Sequence, residues 1–542
     1  MAAGGRSYSC ESADKTMEWM TAIADVLRSF RLLLDAHVTN FFKDRLWETV
    51  DGEWMECLRK GPVQDFVGIP CGLVREHWPA TLKGFVKTLK SMVLPRDPKS
   101  SNTIFDDFQV AQLGSVLSQG MNQKKKHEVE ILSAVVSVVA SFVGAATVID
   151  VGAGQGYLAQ VLSFLYHLSV IALDASPHHA SVTSLRAERI KKHFTVKSRK
   201  SQNGTKLLHG PTTITCQIFS SNTLTAVLES MIESSSCDNE RAGSPLVLAG
   251  LHACGDLSVN MLRTFIECEQ VKAIVCISCC YNLLSDEHFA KSDSCSFPMS
   301  KGGKLLGLAL GRSARDLGCQ SEERWRSFTK EAAIQNFELH AFRAAFQLIL
   351  DKYYPSTLAL TPAIGRQGKA LRRRQLRRVL NSQLDGGERS IEFSAKGQCV
   401  KEPHLLTLEC AEAEAANGHD RGSVVGVADC SCTTSGIKDV CGSSSKFCLF
   451  EEFSRAGLSR LGIGNTDHID LLGIWKDVQP FIDLIGPYWA LHAALGPLVE
   501  TYLLLDRLLF LQEQGDGVEV KMVPLFDPLL SPRNVAIIAL KK

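Results

Sequence analysis

Residues 148–158 read Val-Ile-Asp-Val-Gly-Ala-Gly-Gln-Gly-Tyr-Leu, with Gly152, Gly154 and Gly156 at alternate positions. Glycines let a backbone approach a ligand closely, and the N–H groups that open a helix can hold a carboxylate or a phosphate. Asp150 stands just ahead of this loop, and Asp174 ends the next apolar run. A carboxylate in that second position can accept hydrogen bonds from both hydroxyls of a ribose. A dinucleotide fingerprint would need glycine where Tyr157 stands, and no Gly-Lys-Ser/Thr of a phosphate loop follows. The spacing D-x-G-x-G-x-G is instead similar to a motif that binds S-adenosylmethionine.

Two further clusters carry chemistry. Gly250-Leu251-His252-Ala253-Cys254-Gly255-Asp256-Leu257 follows a fourth apolar run, and Ser278-Cys279-Cys280-Tyr281-Asn282 follows a fifth. His252 and Asp256 are the expected base or acceptor contacts, and Tyr281 and Asn282 are expected to shape an acceptor pocket. Asp256 also fits a plain helix cap, and Cys276 and Cys279 fit core thiols. His252, Cys254, Cys279 and Cys280 are soft metal ligands by type, but adjacent cysteines suit one tetrahedral ion poorly, so no metal is expected. Cys430, Cys432, Cys441 and Cys448 lack paired C-x-x-C spacing. Upstream, Lys124-Lys125-Lys126-His127-Glu128 opens the helix that leads into the first strand. His127 and Glu128 are therefore expected to reach the cofactor pocket.

These residues need a frame. Short β-branched runs predict strands at 147–151, 170–174, 213–219, 246–252 and 273–280, with helices at 157–168, 177–194, 223–233 and 257–269 between them. Strands alternating with helices imply an α/β sheet covered on both faces. A helical run at 490–514 and two terminal strands, 518–523 and 534–540, close the sheet with a β-hairpin. The expected organisation is a helical N-terminal region at 1–120, a Rossmann-like core at 121–285 and an insertion at 286–480. Residues 481–542 then complete the core. The stretch 381–445, rich in Ser, Gly, Glu and Ala, is expected to be partly disordered.

Composition excludes several classes. The chain has 542 residues, 45% hydrophobic and 22% charged, which suits a soluble globular protein. Lys+Arg 59 against Asp+Glu 58 leaves a net charge of +1, so any nucleic-acid surface must be local. Two local patches qualify: Lys124 to Lys126, and RQGKALRRRQLRR from Arg366 to Arg378. The stretch from Ile131 to Ile149 carries no charge and has the length of a membrane span, but it reads as a buried helix and strand. The first 19 residues hold Glu11, Asp14 and Glu18 and no apolar core, unlike a secretory signal. An intracellular chain, cytoplasmic or nuclear, with its 18 cysteines reduced is the expectation.

KKKHEVE, VIDVGAGQGYL, GLHACGDLS, CCYN, FPMS and LFDPLLSPRN together resemble the methyltransferase-like proteins once labelled ribosomal RNA adenine dimethylase domain-containing. The resemblance extends over most of the chain. It implies a class I, Rossmann-like methyltransferase with a seven-stranded sheet and S-adenosylmethionine as cofactor. GLHACGDLS followed by a cysteine pair is also similar to the tRNA ribose methyltransferases, which points to RNA. The adenine-specific Asn/Asp-Pro-Pro-aromatic motif has no counterpart, since His252 to Asp256 contains no proline. A protein or small-molecule acceptor, or a scaffold that binds the cofactor without catalysis, are the alternatives.

Overall fold

The computed structural model describes residues 8–98, 110–200, 209–218, 220–235, 244–285, 296–358, 441–464 and 466–542. The basic stretch from Arg366 to Arg378, Cys430, Cys432 and the segment 381–440 lie outside the described residues. A helix, Cys441–Arg460, begins where the segment expected to be disordered ends.

Seven strands form one mixed sheet: β1 (Thr147–Val151), β2 (Ser169–Asp174), β3 (Thr212–Thr215), β4 (Leu246–Cys254), β5 (Val271–Cys279), β6 (Val518–Pro524) and β7 (Val535–Lys541). Their order is β3-β2-β1-β4-β5-β7-β6. The first five run parallel, and β7 enters antiparallel between β5 and β6. This is the α/β, Rossmann-like methyltransferase architecture that the sequence implies. The strand order reverses between β1 and β4, and open α/β sheets bind ligands outside the carboxyl ends of strands at such a point.

The apolar stretch after Ile131 folds as expected from its breaks. Helix Gln123–Phe142 starts at Asn122, whose side chain accepts from Lys125 N–H. It buries Val129, Leu132, Val135, Val136 and Val139, a three-and-four spacing that makes one face. The chain then turns at Gly144, with φ +66°, into β1. Val135, Val136, Val148, Val247 and Val275 share one core with Ile538 of β7. Each such side chain contributes about 1.5–3 kcal/mol by leaving water. Among the described residues no helix is long and apolar enough to cross a membrane.

The chain divides into two compact units, one of Met1–His37, Trp47–Ala333 and Gly486–Lys542, the other of Val38–Leu46 and Ile334–Ile485. The line thus falls differently from the expected boundaries near 120, 285 and 480. The reason lies in helix Gly496–Gln512, whose side chains are buried nearly all round. Such a helix needs cover on every side, and N-terminal segments supply part of it. Leu94 N–H donates to Thr501 Oγ1, and Gln512 Nε2 donates to the Cys10 carbonyl. The expected run 490–514 is broken before this helix, where Pro497 occupies its first turn. The second unit has an aromatic core in which Phe450 stacks on Trp475 at 4.9 Å, with Phe342 and Phe453 beside them.

Candidate active site

The carboxyl ends of β2, β1, β4 and β5 lie side by side and carry all three sequence clusters. The glycine loop leaves β1 by a tight turn in which Gly152 and Ala153 both donate their N–H to the Leu173 carbonyl. Gly156, with φ +69°, opens the following helix, Tyr157–Phe164. A Cβ there would stand 2.3 Å from Thr183 Cγ2, so backbone conformation and space both demand glycine. Asp174 at the end of β2 is held in place: it accepts from Gly154 N–H and Ser176 N–H, both at 2.8 Å, and meets His179 Nδ1 at 2.9 Å.

Asp150 is buried on β1, and its Oδ2 has no hydrogen-bond partner. Burial pushes its carboxyl up to about 7, against a hydrogen bond from the Ala159 backbone; Asp174 adds to the rise. A carboxyl in this position can accept a hydrogen bond when ionised and donate one when protonated.

Across the β1/β4 switch, His252 is a non-glycine residue at φ +61°, beside an irregularity in the β4–β5 register between Gly250 and Ala253. Its Nε2 lies 3.1 Å from Oε2 of Glu128, which is 1% exposed. A carboxylate only accepts, so Nε2 carries the hydrogen and Nδ1 of the neutral ring keeps its lone pair. Glu128 also accepts from Ser531 Oγ at 2.6 Å, and Lys124 Nζ lies 3.8 Å away. Burial works to raise the Glu128 carboxyl, but His252, Lys124 and Ser531 outweigh it and hold the group below its ordinary value. A fixed carboxylate behind an imidazole is the arrangement that orients a general base.

Other expected residues take structural posts. His127 Nε2 accepts from Asp527 N–H, and its ring meets Phe526 edge-on. Asp256 accepts from Ser285 N–H at 2.8 Å, which ties down the segment after β5. Tyr281 is 1% exposed and donates to Glu500 Oε1 at 3.0 Å, so it braces the site from beneath and does not face an acceptor. Asn282 Oδ1 accepts from Cys319 Sγ at 3.6 Å.

Sequence reasoning missed Ser531 as a member of the site. Its one signal is the polar Ser531-Pro532-Arg533-Asn534 between the two terminal strands, inside the LFDPLLSPRN that shares in the family resemblance. The Cys254, Cys279 and Cys280 thiols, two of them adjacent in sequence, which argues against a single ion, nevertheless converge: their Sγ atoms all lie within 4.8 Å of one another. A cavity of about 350 Å³ sits elsewhere, among Phe30, Trp54 and Phe85.

Comparison with known proteins agrees with this frame. Residues 124–287 match a family described as "Methyltransferase domain". The chain is 22% identical to "Probable methyltransferase-like protein 25" of Homo sapiens, over 96% of each chain. It is 24% identical to the protein of the same name from Mus musculus, over 78% of this chain and 75% of that one. No solved structure matches. Residues 124–287 thus carry a methyltransferase domain on a seven-stranded sheet, and the chain is similar to proteins named methyltransferase-like, which supports a methyltransferase.

Proposed function

We propose that the chain moves the methyl group of S-adenosylmethionine to a nucleophile on RNA, with His252 as the base and Glu128 as the group that orients it. The observation that carries this reading is the half-buried His252 held by the buried Glu128 at the switch point of the sheet, on the strand beside the one that leads into the glycine loop. Two features fit the cofactor. Asp150 offers a buried oxygen without a partner, and Gly154, at φ +55°, has nothing within 4 Å of where a Cβ would stand. Asp174, fixed by backbone donors, would hold the ribose, and the Gly152 to Gly156 loop would line the rest. S-adenosylmethionine supplies an electrophilic methyl carbon.

His252 Nδ1 then takes the acceptor's proton as the nucleophile attacks. Glu128 holds the ring in the right tautomer and stabilises the imidazolium that forms. Positioning along one line supplies much of the remaining rate.

The partial likeness to tRNA ribose methyltransferases and the basic stretch from Arg366 to Arg378 support RNA as acceptor. A specific observation favours the second reading, a protein or small molecule. Lys124 and Lys126 lie 3.8 Å from Glu128 and Glu130, and Lys125 Nζ stands over the Tyr157 ring at 4.9 Å. These three cations already have partners within the chain and are a weak footing for phosphates.

The test is labelled-methyl transfer from S-adenosylmethionine into extract of cells lacking the protein, with wild type and His252→Gln compared. Nuclease-sensitive label supports RNA, and protease-sensitive label supports the second reading. Removing the base should slow transfer by roughly 10²–10⁴-fold. An unchanged rate would remove His252 from the mechanism, and label in neither fraction would point to a small acceptor.

A further inference from the structure

We propose that Cys254, Cys279 and Cys280 form a binding site for a thiophilic metal ion, Zn²⁺ by preference, with three thiolate ligands and one coordination position left open. The inference is independent of the methyl-transfer reading.

The three sulfurs come from two strand ends. Cys254 and Cys279 are register partners across β4 and β5, which puts their side chains on the same face. Their Sγ atoms are 3.0 Å apart. Cys280 is the informative member. Consecutive strand residues point to opposite faces, so a cysteine pair on a regular strand cannot converge on one ion. Here Cys280 leaves the strand at φ +49°, in the left-handed region that a side chain other than glycine rarely occupies. That reversal brings its sulfur back to the other two, all within 4.8 Å. The geometric objection raised by adjacent cysteines disappears at this residue.

Size and access agree. A tetrahedral ion with metal–sulfur bonds of about 2.3 Å holds its thiolates about 3.8 Å apart; Cys254 and Cys279 stand at 3.0 Å and no sulfur is more than 4.8 Å from another, so small side-chain adjustments suffice. Cys279 is buried, while Cys254 and Cys280 are half-buried, so an ion can enter from the crevice. Local strain kept at Cys280 and at His252, on adjacent strands, marks an edge whose conformation serves binding over stability. Three protein ligands with a free fourth position is the pattern of zinc sites that meet a substrate, whereas structural sites close with four.

The full-length protein, purified without chelator, should carry about one zinc per chain, and a mercurial that caps thiols should release it. Replacement by Co²⁺ should give intense thiolate-to-metal absorption in the near ultraviolet and the visible bands of a four-coordinate ion. Cys280→Ser and Cys254→Ser should lose the metal, while Cys216→Ser, outside the cluster, should keep it. If the variants fail to fold, the wild-type zinc content and cobalt spectrum still decide. Protein without metal that gains no cobalt thiolate band, with all three thiols alkylated equally with and without added zinc, would overturn the proposal. So would a Cys254–Cys279 disulfide as the form isolated from cells.

Discussion

Glu500 is the point at which the site's rigidity can be measured without knowing the acceptor. It is 4% exposed, and three chain segments meet on its carboxylate. Arg96 Nη2 lies 2.7 Å away, Arg533 Nη1 lies 2.5 Å away, and Tyr281 donates its hydroxyl at 3.0 Å. Arg96 belongs to the N-terminal region, Arg533 to the loop between β6 and β7, and Tyr281 to the exit of β5 next to Cys280. Glu500→Gln keeps the shape and removes the charge, leaving two nearly buried guanidinium groups facing a neutral amide. Breaking a buried pair from one side costs roughly 3–5 kcal/mol. Hydrogen exchange of β5 and β7 amides reads this directly, and protection should fall roughly 10²–10⁴-fold at neutral pH. Tyr281→Phe removes one hydrogen bond to a charge and should cost only about 1.5–3 kcal/mol. The pH dependence has a definite sign. Burial works to raise the Glu500 carboxyl, but Arg533 and Arg96 outweigh it and hold the group below its ordinary 4.5. Its stabilising contribution is therefore complete above pH 4.5 and fades as pH falls through the lower folded value, so wild type and Glu500→Gln should converge in acid. A loss under about 1 kcal/mol, or one equal to that of Tyr281→Phe, would refute the view that this carboxylate ties the three segments together.

Gly156→Ala should destabilise the unit that holds the sheet by about 1–3 kcal/mol, because its Cβ meets Thr183 at a forbidden φ, and under the proposed function it should abolish stabilisation by added S-adenosylmethionine. Gly154→Ala, with open space around it, should cost less; equal losses in a thermal-shift assay would contradict this account. For Asp150 the sign is opposite to that of Glu500. Its carboxyl is raised from 3.8 to about 7, so its contribution is complete below pH 3.8 and is lost as pH rises through about 7. In thermal melts Asp150→Asn should therefore gain stability relative to wild type between pH 5 and pH 8, by as much as about 2.6 kcal/mol. An advantage that does not grow with pH would show that Asp150 finds a partner.

Much of the core was legible because each of its signals is local. The five parallel strands are short apolar runs, and the β1 bounds, Thr147–Val151, coincide with the expected ones. The glycine loop and Asp174 announce themselves by spacing, whereas the order β3-β2-β1-β4-β5-β7-β6 comes from the structure. Features that depend on distant pairing were not legible. Nothing in the run from Lys124 to Glu128 says that Glu128 turns inward to His252 and Ser531, residues 124 and 403 positions away. Tyr281 reads as a pocket wall because it follows the fifth strand beside the cysteine pair; its partner Glu500 lies in a helix whose apolar run masks three buried charged residues, Glu500, Asp506 and Arg507.

The cysteine pair shows the limit most clearly. Alternation is a rule about residues that stay in the strand, and it argued correctly that Cys279 and Cys280 should diverge. The chain leaves β5 between them, and a single left-handed residue reverses the conclusion. Composition carries no signal for that reversal, since cysteine has no preference for positive φ. The residue after Cys280 is pinned, because the Tyr281 hydroxyl donates to Glu500, and Leu283 N–H donates to the Cys280 carbonyl. The anchored tyrosine and the converging thiols are thus two ends of one constraint, and Glu500→Gln should loosen both. In that variant the cobalt thiolate band should weaken along with β5 protection; a full band on a loosened strand would mean that the thiols are set by β4 alone.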